Sequence, residues 1–279
     1  MVVTIIGLGL IGGSMSLALQ EKGFATRVIG VDNQPEHVNK ALELGLVQAC
    51  LPLNEAIDQS NLIIIATPIN ASEILLPLIL DRINQQVVFD VGSTKQRIGE
   101  LVKTHPKRGR FVATHPMWGT ENSGPSAAVK GAFAQKATVI CDKDNSDQDA
   151  LDLVTQVYNL LDMHILYMES AAHDMHVAYI SHISHITSFA LANTVLEKER
   201  EEDAIFELAS GGFESTVRLA KSNAAMWVPI FMQNRDNVLD VLNEHISQLR
   251  KFKACLEKEN YAYLQELIEN ANGIRRILK

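Results

Sequence analysis

Cysteine is scarce: Cys50, Cys141 and Cys255 are the three in 279 residues, far apart and odd in number. That spacing excludes a disulfide framework and a Cys-x-x-Cys metal site, and it fits a reducing, cytoplasmic setting. Positive charge is also short, with 25 Lys and Arg against 33 Asp and Glu and a formal net charge of -8. Binding to a phosphate backbone needs a dense basic surface, so nucleic acid is excluded as a partner. No long apolar run is present either. The most apolar stretch, Leu62 to Leu80, is interrupted by Pro68, Asn70, Glu73 and Pro77, and the N-terminus has neither a basic region nor an A-x-A-like cleavage site. Neither export nor a membrane span is expected.

What is present is a hydrophobic content of 47%, ample for a packed core. Short runs rich in Val and Ile recur to about Met168: Val2 to Ile6, Arg27 to Asp32, Leu62 to Thr67, Gln86 to Val91, Phe111 to Thr114, Ala137 to Cys141 and His164 to Tyr167. Separated by helix-like segments and lacking alternation, they predict the buried strands of a doubly wound, mostly parallel α/β sheet over residues 1–168. After Glu169 apolar residues recur at helical spacing through Ala171 to Leu196, Glu202 to Ala209, Glu214 to Lys221, Ala224 to Leu256 and Tyr261 to Ile277. Residues 169–279 are therefore expected to be an all-helical domain. Within it, "ASGGFEST" (Ala209 to Thr216) reads as a glycine-terminated helix, a tight turn and a new start. So few residues cannot cover the apolar faces of these helices, and a homodimer through this half is expected.

The stretch "VTIIGLGLIGGSMSLAL" turns a strand into a helix through Gly7, Gly9 and Gly12. In that context Gly7 permits the tight turn, Gly9 lets a pyrophosphate approach the backbone, and Gly12 lets helix pack on strand. Asp32 closes the next strand at the spacing of a ribose-binding carboxylate. Leu10 and Ile11 in the turn, and Thr67 and Pro68 after the third long run, are counted with these as cofactor contacts. The carboxylate favours NAD, since it accepts from a 2'-hydroxyl and repels a 2'-phosphate; Asn33 and Gln34 would donate to that phosphate if Asp32 turned away.

Three polar pieces remain: "DVGSTK" (Asp90 to Lys95), "THPMWGTENSG" (Thr114 to Gly124), and the helical "HDMHVAYISHISH" (His173 to His185) followed by "FESTVRLAKSNAAMW" (Phe213 to Trp227). The first two follow strands, at the edge where open α/β sheets bind ligands. The four histidines do not predict a metal: at about 100° per residue His176, His182 and His185 lie roughly 300°, 180° and 120° from His173, on no single face.

In this order the pieces resemble the prephenate and arogenate dehydrogenase family, over almost the whole chain. The most specific segments are "GLGLIGGS", "DVGSTK", "THPMWGTENSG", "SHISH" and Arg218 to Trp227. The resemblance implies an NAD(P)-dependent oxidative decarboxylation in which a 4-hydroxy-cyclohexadienyl carboxylate gives hydride from C4 and CO2 from C1. By the same resemblance His115 accepts the hydroxyl proton, a role suited to an imidazole. Ser93 orients His115, or else only caps the helix before Lys95 and Gln96. Arg218 binds a substrate carboxylate, His185 and His182 lie near the substrate, and His173 is structural.

Glu121 is a plausible partner for the ammonium of arogenate, with Thr120 beside it, and Trp118 would shape the pocket wall. Glu214 stands where some prephenate-using relatives have lysine, which disfavours the more anionic prephenate. The expected substrate is therefore arogenate, with prephenate as the alternative. Compact single-activity arogenate dehydrogenases commonly use NADP, so NADP is the expected cofactor with NAD as the alternative, against the plain reading of Asp32. No mutase-like segment leads the chain and no regulatory domain follows the helices, so one activity is expected. A β-hydroxyacid dehydrogenase would need a better pattern than Lys221, Ser222 and Asn223, and a non-catalytic NADP sensor would not need His115 and Ser93.

Overall fold

The computed structural model describes residues 1–200 and 205–277. They pack as two compact units, Met1–Asn234 and Arg235–Lys279.

The first unit is built on eight strands: β1 (Val2–Ile6), β2 (Arg27–Val31), β3 (Ala49–Cys50), β4 (Leu62–Ile65), β5 (Val87–Asp90), β6 (Phe111–Pro116), β7 (Ala137–Cys141) and β8 (His164–Met168). Their order is β3-β2-β1-β4-β5-β6-β7-β8. Pairing is parallel from β3 to β6 and between β7 and β8, and antiparallel where β6 meets β7. The expected doubly wound, mostly parallel sheet is the one observed. Its central strands read "VVTII", "LIII" and "VVFD" because helices cover both faces and leave no polar side to alternate with. The helices are α1 (Leu10–Glu21), α2 (Pro35–Glu43), α3 (Leu53–Asp58), α4 (Ile69–Arg82), α5 (Gln96–Leu101) and α6 (Gln148–Leu160). Two core clusters result, one centred on Val3, Met15, Phe89 and Tyr158, the other on Ile63, Leu76, Val88 and Phe111. The strand missed in the sequence, β3, has two residues, too few for any periodicity.

Beyond β8 come α7 (Ser170–Val177), a π-helical turn (Ala178–His182), α8 (Ile183–Glu199), α9 (Gly211–Val217) and α10 (Ala224–Gln233). The helical half follows the sheet as expected, with three local differences. Gly211 and Gly212 do not end a helix; they form the first turn of α9, behind Ser210 in extended conformation. The helix expected over 202–209 lies partly outside the described residues, and Phe206–Leu208 is a single 3₁₀ turn. The long helix expected from Ala224 to Leu256 is two helices, because Asn234 leaves helical geometry at φ -101°, ψ 27°. The second unit consists of α11 (Arg235–Glu257) and α12 (Tyr261–Ala271), packed on one another, with a 3₁₀ turn after them. Among the described residues no helix is long and apolar enough to cross a membrane.

Candidate active site

The strand order reverses between β1 and β4, since β1 pairs with β2 on one side and β4 on the other. Ligands of open α/β sheets bind in the crevice at such a switch point. The glycine turn occupies it. Gly7 has φ +95°, and a Cβ there would fall 2.5 Å from the Ala66 carbonyl oxygen. A Cβ on Gly12 would fall 2.0 Å from the Gly7 oxygen, so α1 sits against the turn as only glycine allows. A Cβ on Gly9 would meet nothing within 4 Å. That open space faces the start of α1, where Leu10 and Ile11 begin the helix with no side-chain cap. The residues thus fit a pyrophosphate: an approachable backbone at a helix N-terminus.

Asp32 follows β2 at the same edge. Its Oδ2 accepts the Leu8 amide at 2.8 Å and its Oδ1 accepts the Gln34 amide at 2.9 Å. His37 Nδ1 stands 3.4 Å from Oδ2. The carboxylate is tied to the glycine turn and does not turn away, so the arrangement in which Asn33 and Gln34 would serve a 2'-phosphate is not formed; both side chains are exposed. Thr67 and Pro68 follow β4 beside the turn, where Thr67 Oγ1 bonds Ser72 Oγ at 2.9 Å and Pro68 opens α4.

Further along this edge, about 14 Å away across three strand spacings, β6 carries His115. Its Nδ1 lies 2.9 Å from His173 Nε2, and His173 Nδ1 lies 2.8 Å from Asp174 Oδ1. The proton positions follow from the end of the chain. The carboxylate only accepts, so His173 carries a proton on Nδ1; when that is its single proton the ring accepts at Nε2, and His115 donates from Nδ1. His115 Nε2 is left with a lone pair, the form a general base requires. Burial lowers the His115 pKa well below the ordinary imidazole value, and His173, Lys95 and His182 push it the same way. His115 is therefore neutral at physiological pH.

Asp174 also caps α5, accepting the Lys95 amide at 2.8 Å and the Gln96 amide at 3.0 Å. The cap expected of Ser93 comes from another element. Ser93 lies half-buried in the loop after β5, and no hydrogen bond joins it to His115 among the described residues; His173 makes the orienting bond instead. The loop itself is fixed by charge. Asp90 and Lys95, both fully buried, form an ion pair, and Asp90 also accepts from the amides of Gly92 at 2.9 Å and Thr114 at 3.3 Å. One carboxylate so joins β5, the Ser93 loop and the strand of His115. Thr94 Oγ1 donates to Gln233 Oε1 at 2.8 Å, tying the loop to α10.

The helical residues complete the site. His182 is buried, with Trp227 and Phe231 ring centroids at 5.9 and 6.2 Å, and desolvation lowers its pKa to about 4. His185 stacks on Trp227 at 3.5 Å and donates from Nδ1 to the Ser181 oxygen at 3.0 Å; burial lowers its pKa. Arg218 is half exposed and holds Glu121 at 2.8 Å. The two residues expected on opposite ends of a substrate side chain form a pair. Glu214 is 73% exposed and 3.9 Å from Lys221. Trp118, partly buried against the core, packs edge-to-face on Phe133 at 5.4 Å, and Thr120 Oγ1 accepts the Asn122 amide at 3.2 Å.

Sequence reasoning passed over Asp174, Lys95, Asp90 and Asn234 and took His173 as structural. The π-helical turn explains part of this. It adds a residue to one turn, so everything after it falls back by about 100° relative to a regular helix. His182 then stands about 80° from His173 instead of about 180°. The dipeptide His173-Asp174, a ring beside a carboxylate, was the available signal.

A glycine cradle at the switch point and an imidazole on the same sheet edge are the parts a dinucleotide-dependent dehydrogenase needs. Residues 15–167 match the profile described as "Prephenate dehydrogenase, nucleotide-binding domain", and residues 169–270 match "Prephenate dehydrogenase, dimerization domain". The chain belongs to the prephenate dehydrogenase family. It is 29% identical over 277 residues to a prephenate dehydrogenase of Bacillus subtilis, covering 98% of this chain and 75% of that one. The structure of A. aeolicus prephenate dehydrogenase with hydroxyphenyl propionate and NAD+ is similar at a TM-score of 0.91 and 27% identity, covering 100% and 98% of the two chains. Synechocystis arogenate dehydrogenase is similar at 0.79 and 26%, covering both chains completely.

Proposed function

We propose that the protein oxidatively decarboxylates arogenate to tyrosine. Hydride leaves ring C4 for the nicotinamide, C1 loses CO2 and the ring becomes aromatic. A nicotinamide dinucleotide bound along the carboxyl edge supplies the hydride acceptor; Gly7, Gly9, Gly12, Leu10, Ile11, Asp32, Thr67 and Pro68 would hold it. His115 Nε2 accepts the proton of the C4 hydroxyl, and His173 and Asp174 hold the ring in the accepting tautomer and stabilise the imidazolium that forms.

The observation that carries the substrate is the Arg218–Glu121 pair. An α-amino carboxylate is the complement of such a pair: its carboxylate takes the guanidinium fork and its ammonium takes the glutamate. A keto acid gives Glu121 no counter-charge, so burying it beside that carboxylate is unfavourable. Prephenate is the second reading, favoured by the name of the B. subtilis relative. For the cofactor, Asp32 held at the ribose position supports NAD over the NADP that compact relatives suggest. We further propose a homodimer, in keeping with the matched dimerisation domain.

The test measures reduced nicotinamide with arogenate or prephenate and NAD or NADP, for the native protein and for His115→Ala and Glu121→Gln. Arogenate with NAD is expected to give the highest kcat/KM. His115→Ala should lower it by about 100-fold or more while the cofactor still binds, and Glu121→Gln should narrow the preference for arogenate. Equal use of prephenate by the native protein would overturn the substrate reading, and preference for NADP the cofactor reading.

A further inference from the structure

The rings of His115 and His182 are held by different partners. His115 is held through His173. His182 is held by Asn234, the residue that ends α10 and breaks what would otherwise run on as one helix. The Asn234 side chain is buried, and its Nδ2 donates to the Asp174 backbone oxygen at 2.6 Å and reaches His182 Nδ1 at 3.2 Å.

The first of these contacts fixes the second. A backbone carbonyl accepts and never donates, so the amide must present its nitrogen there, not its oxygen. The other proton of that nitrogen then points at His182, whose Nδ1 must accept it. A neutral imidazole that accepts at Nδ1 carries its proton at Nε2. The groups around the ring agree with a neutral state: Trp227 and Phe231 from α10 exclude water, His173 on α7 and His185 on α8 disfavour a positive charge, and Asp174 is the single anion acting on it.

We propose that Asn234 is a positioning residue that locks His182 as a neutral Nε2–H donor, so that His182 offers a fixed donor and His115 a fixed acceptor, each at its Nε2. Asp174 serves both locks, through its carboxylate for His115 by way of His173, and through its backbone oxygen for Asn234. One residue thereby sets two histidines in opposite senses. Resting on the dehydrogenase reading, the donor suits a substrate that brings two carboxylates and a hydroxyl: His115 takes the hydroxyl proton, and His182 offers a hydrogen bond to an oxygen without adding a titrating cation.

The first arm is nitrogen-15 NMR of the full-length, histidine-labelled protein without substrate, with the His182 signals assigned by their loss in His182→Gln. The native protein should show His182 protonated at Nε2 and bare at Nδ1 at pH 7. In Asn234→Leu, which has no donor, the ring should lose that single tautomer. A native His182 protonated at Nδ1, or doubly protonated at pH 7, overturns the proposal even if no variant folds. The second arm is a kinetic cycle with the preferred substrate. His182→Gln and Asn234→Leu should each lower kcat/KM by about tenfold, and the double variant by about tenfold as well, because Asn234 acts through His182. Independent, multiplying losses overturn the proposal. Absence of turnover with either substrate would defeat the dehydrogenase reading and leave the tautomer measurement to judge Asn234 by itself.

Discussion

At the scale of the residue, the site depends on histidines kept uncharged. His115 accepts a proton only when neutral, and its burial beside His173, Lys95 and His182 keeps it so well below the ordinary imidazole range. The expected consequence is an acid limb in the kcat/KM profile that lies below pH 6.5, where a solvated histidine would already be half protonated. Finding that limb at or above 6.5 would assign the proton acceptor to another group. The same residues mark where the sequence stopped being informative. His115 was legible because it follows a strand in a segment with a recognisable pattern. Asp174 was legible only as the carboxylate beside His173; that it also caps α5, 78 and 79 positions away in sequence, is a contact no local rule reports.

At the scale of the element, the glycine turn shows that residues of one type carry different loads. Gly12→Ala would drive a methyl group into the Gly7 carbonyl oxygen and should cost about 2 kcal/mol or more, read as a lower midpoint in thermal unfolding. Gly9→Ala meets open space at an ordinary φ of -76°, so stability should change by less than about 1 kcal/mol. Its cofactor affinity, measured by calorimetry, should nevertheless fall, because the methyl occupies the approach to the backbone. Equal loss of stability in both variants would contradict this division. Strands with runs such as "LIII" and this turn were readable because burial on both faces and backbone geometry leave few substitutes. The break at Asn234 was not readable: "FMQNRDNV" continues helical spacing on either side, and the amide is set by tertiary bonds to Asp174 and His182.

For the whole molecule, neutral buried histidines make stability depend on pH. The native pKa values of His115 and His182 lie below the unfolded value near 6.5, so the unfolded chain binds protons first as pH falls. Stability is then full above pH 6.5 and declines as pH falls; the His182 part of the decline runs from 6.5 to about 4 and amounts to roughly 3 kcal/mol. Urea midpoints across that range measure it, and His182→Gln should flatten the slope. A slope unchanged by the substitution would mean that other groups dominate. Sedimentation at micromolar concentration should give twice the chain mass; a single monomeric species would refute the dimer.

The π-helical turn between α7 and α8 carries a consequence for descent. A helix alters its phase by gaining or losing a residue, an event that point substitution does not supply. One codon lost between Ala178 and His182 would restore a regular helix and swing His182 and His185 by about 100° together, with every strand and the cofactor edge intact. The phase of both histidines is therefore set by the length of this one turn, not by any side chain within it.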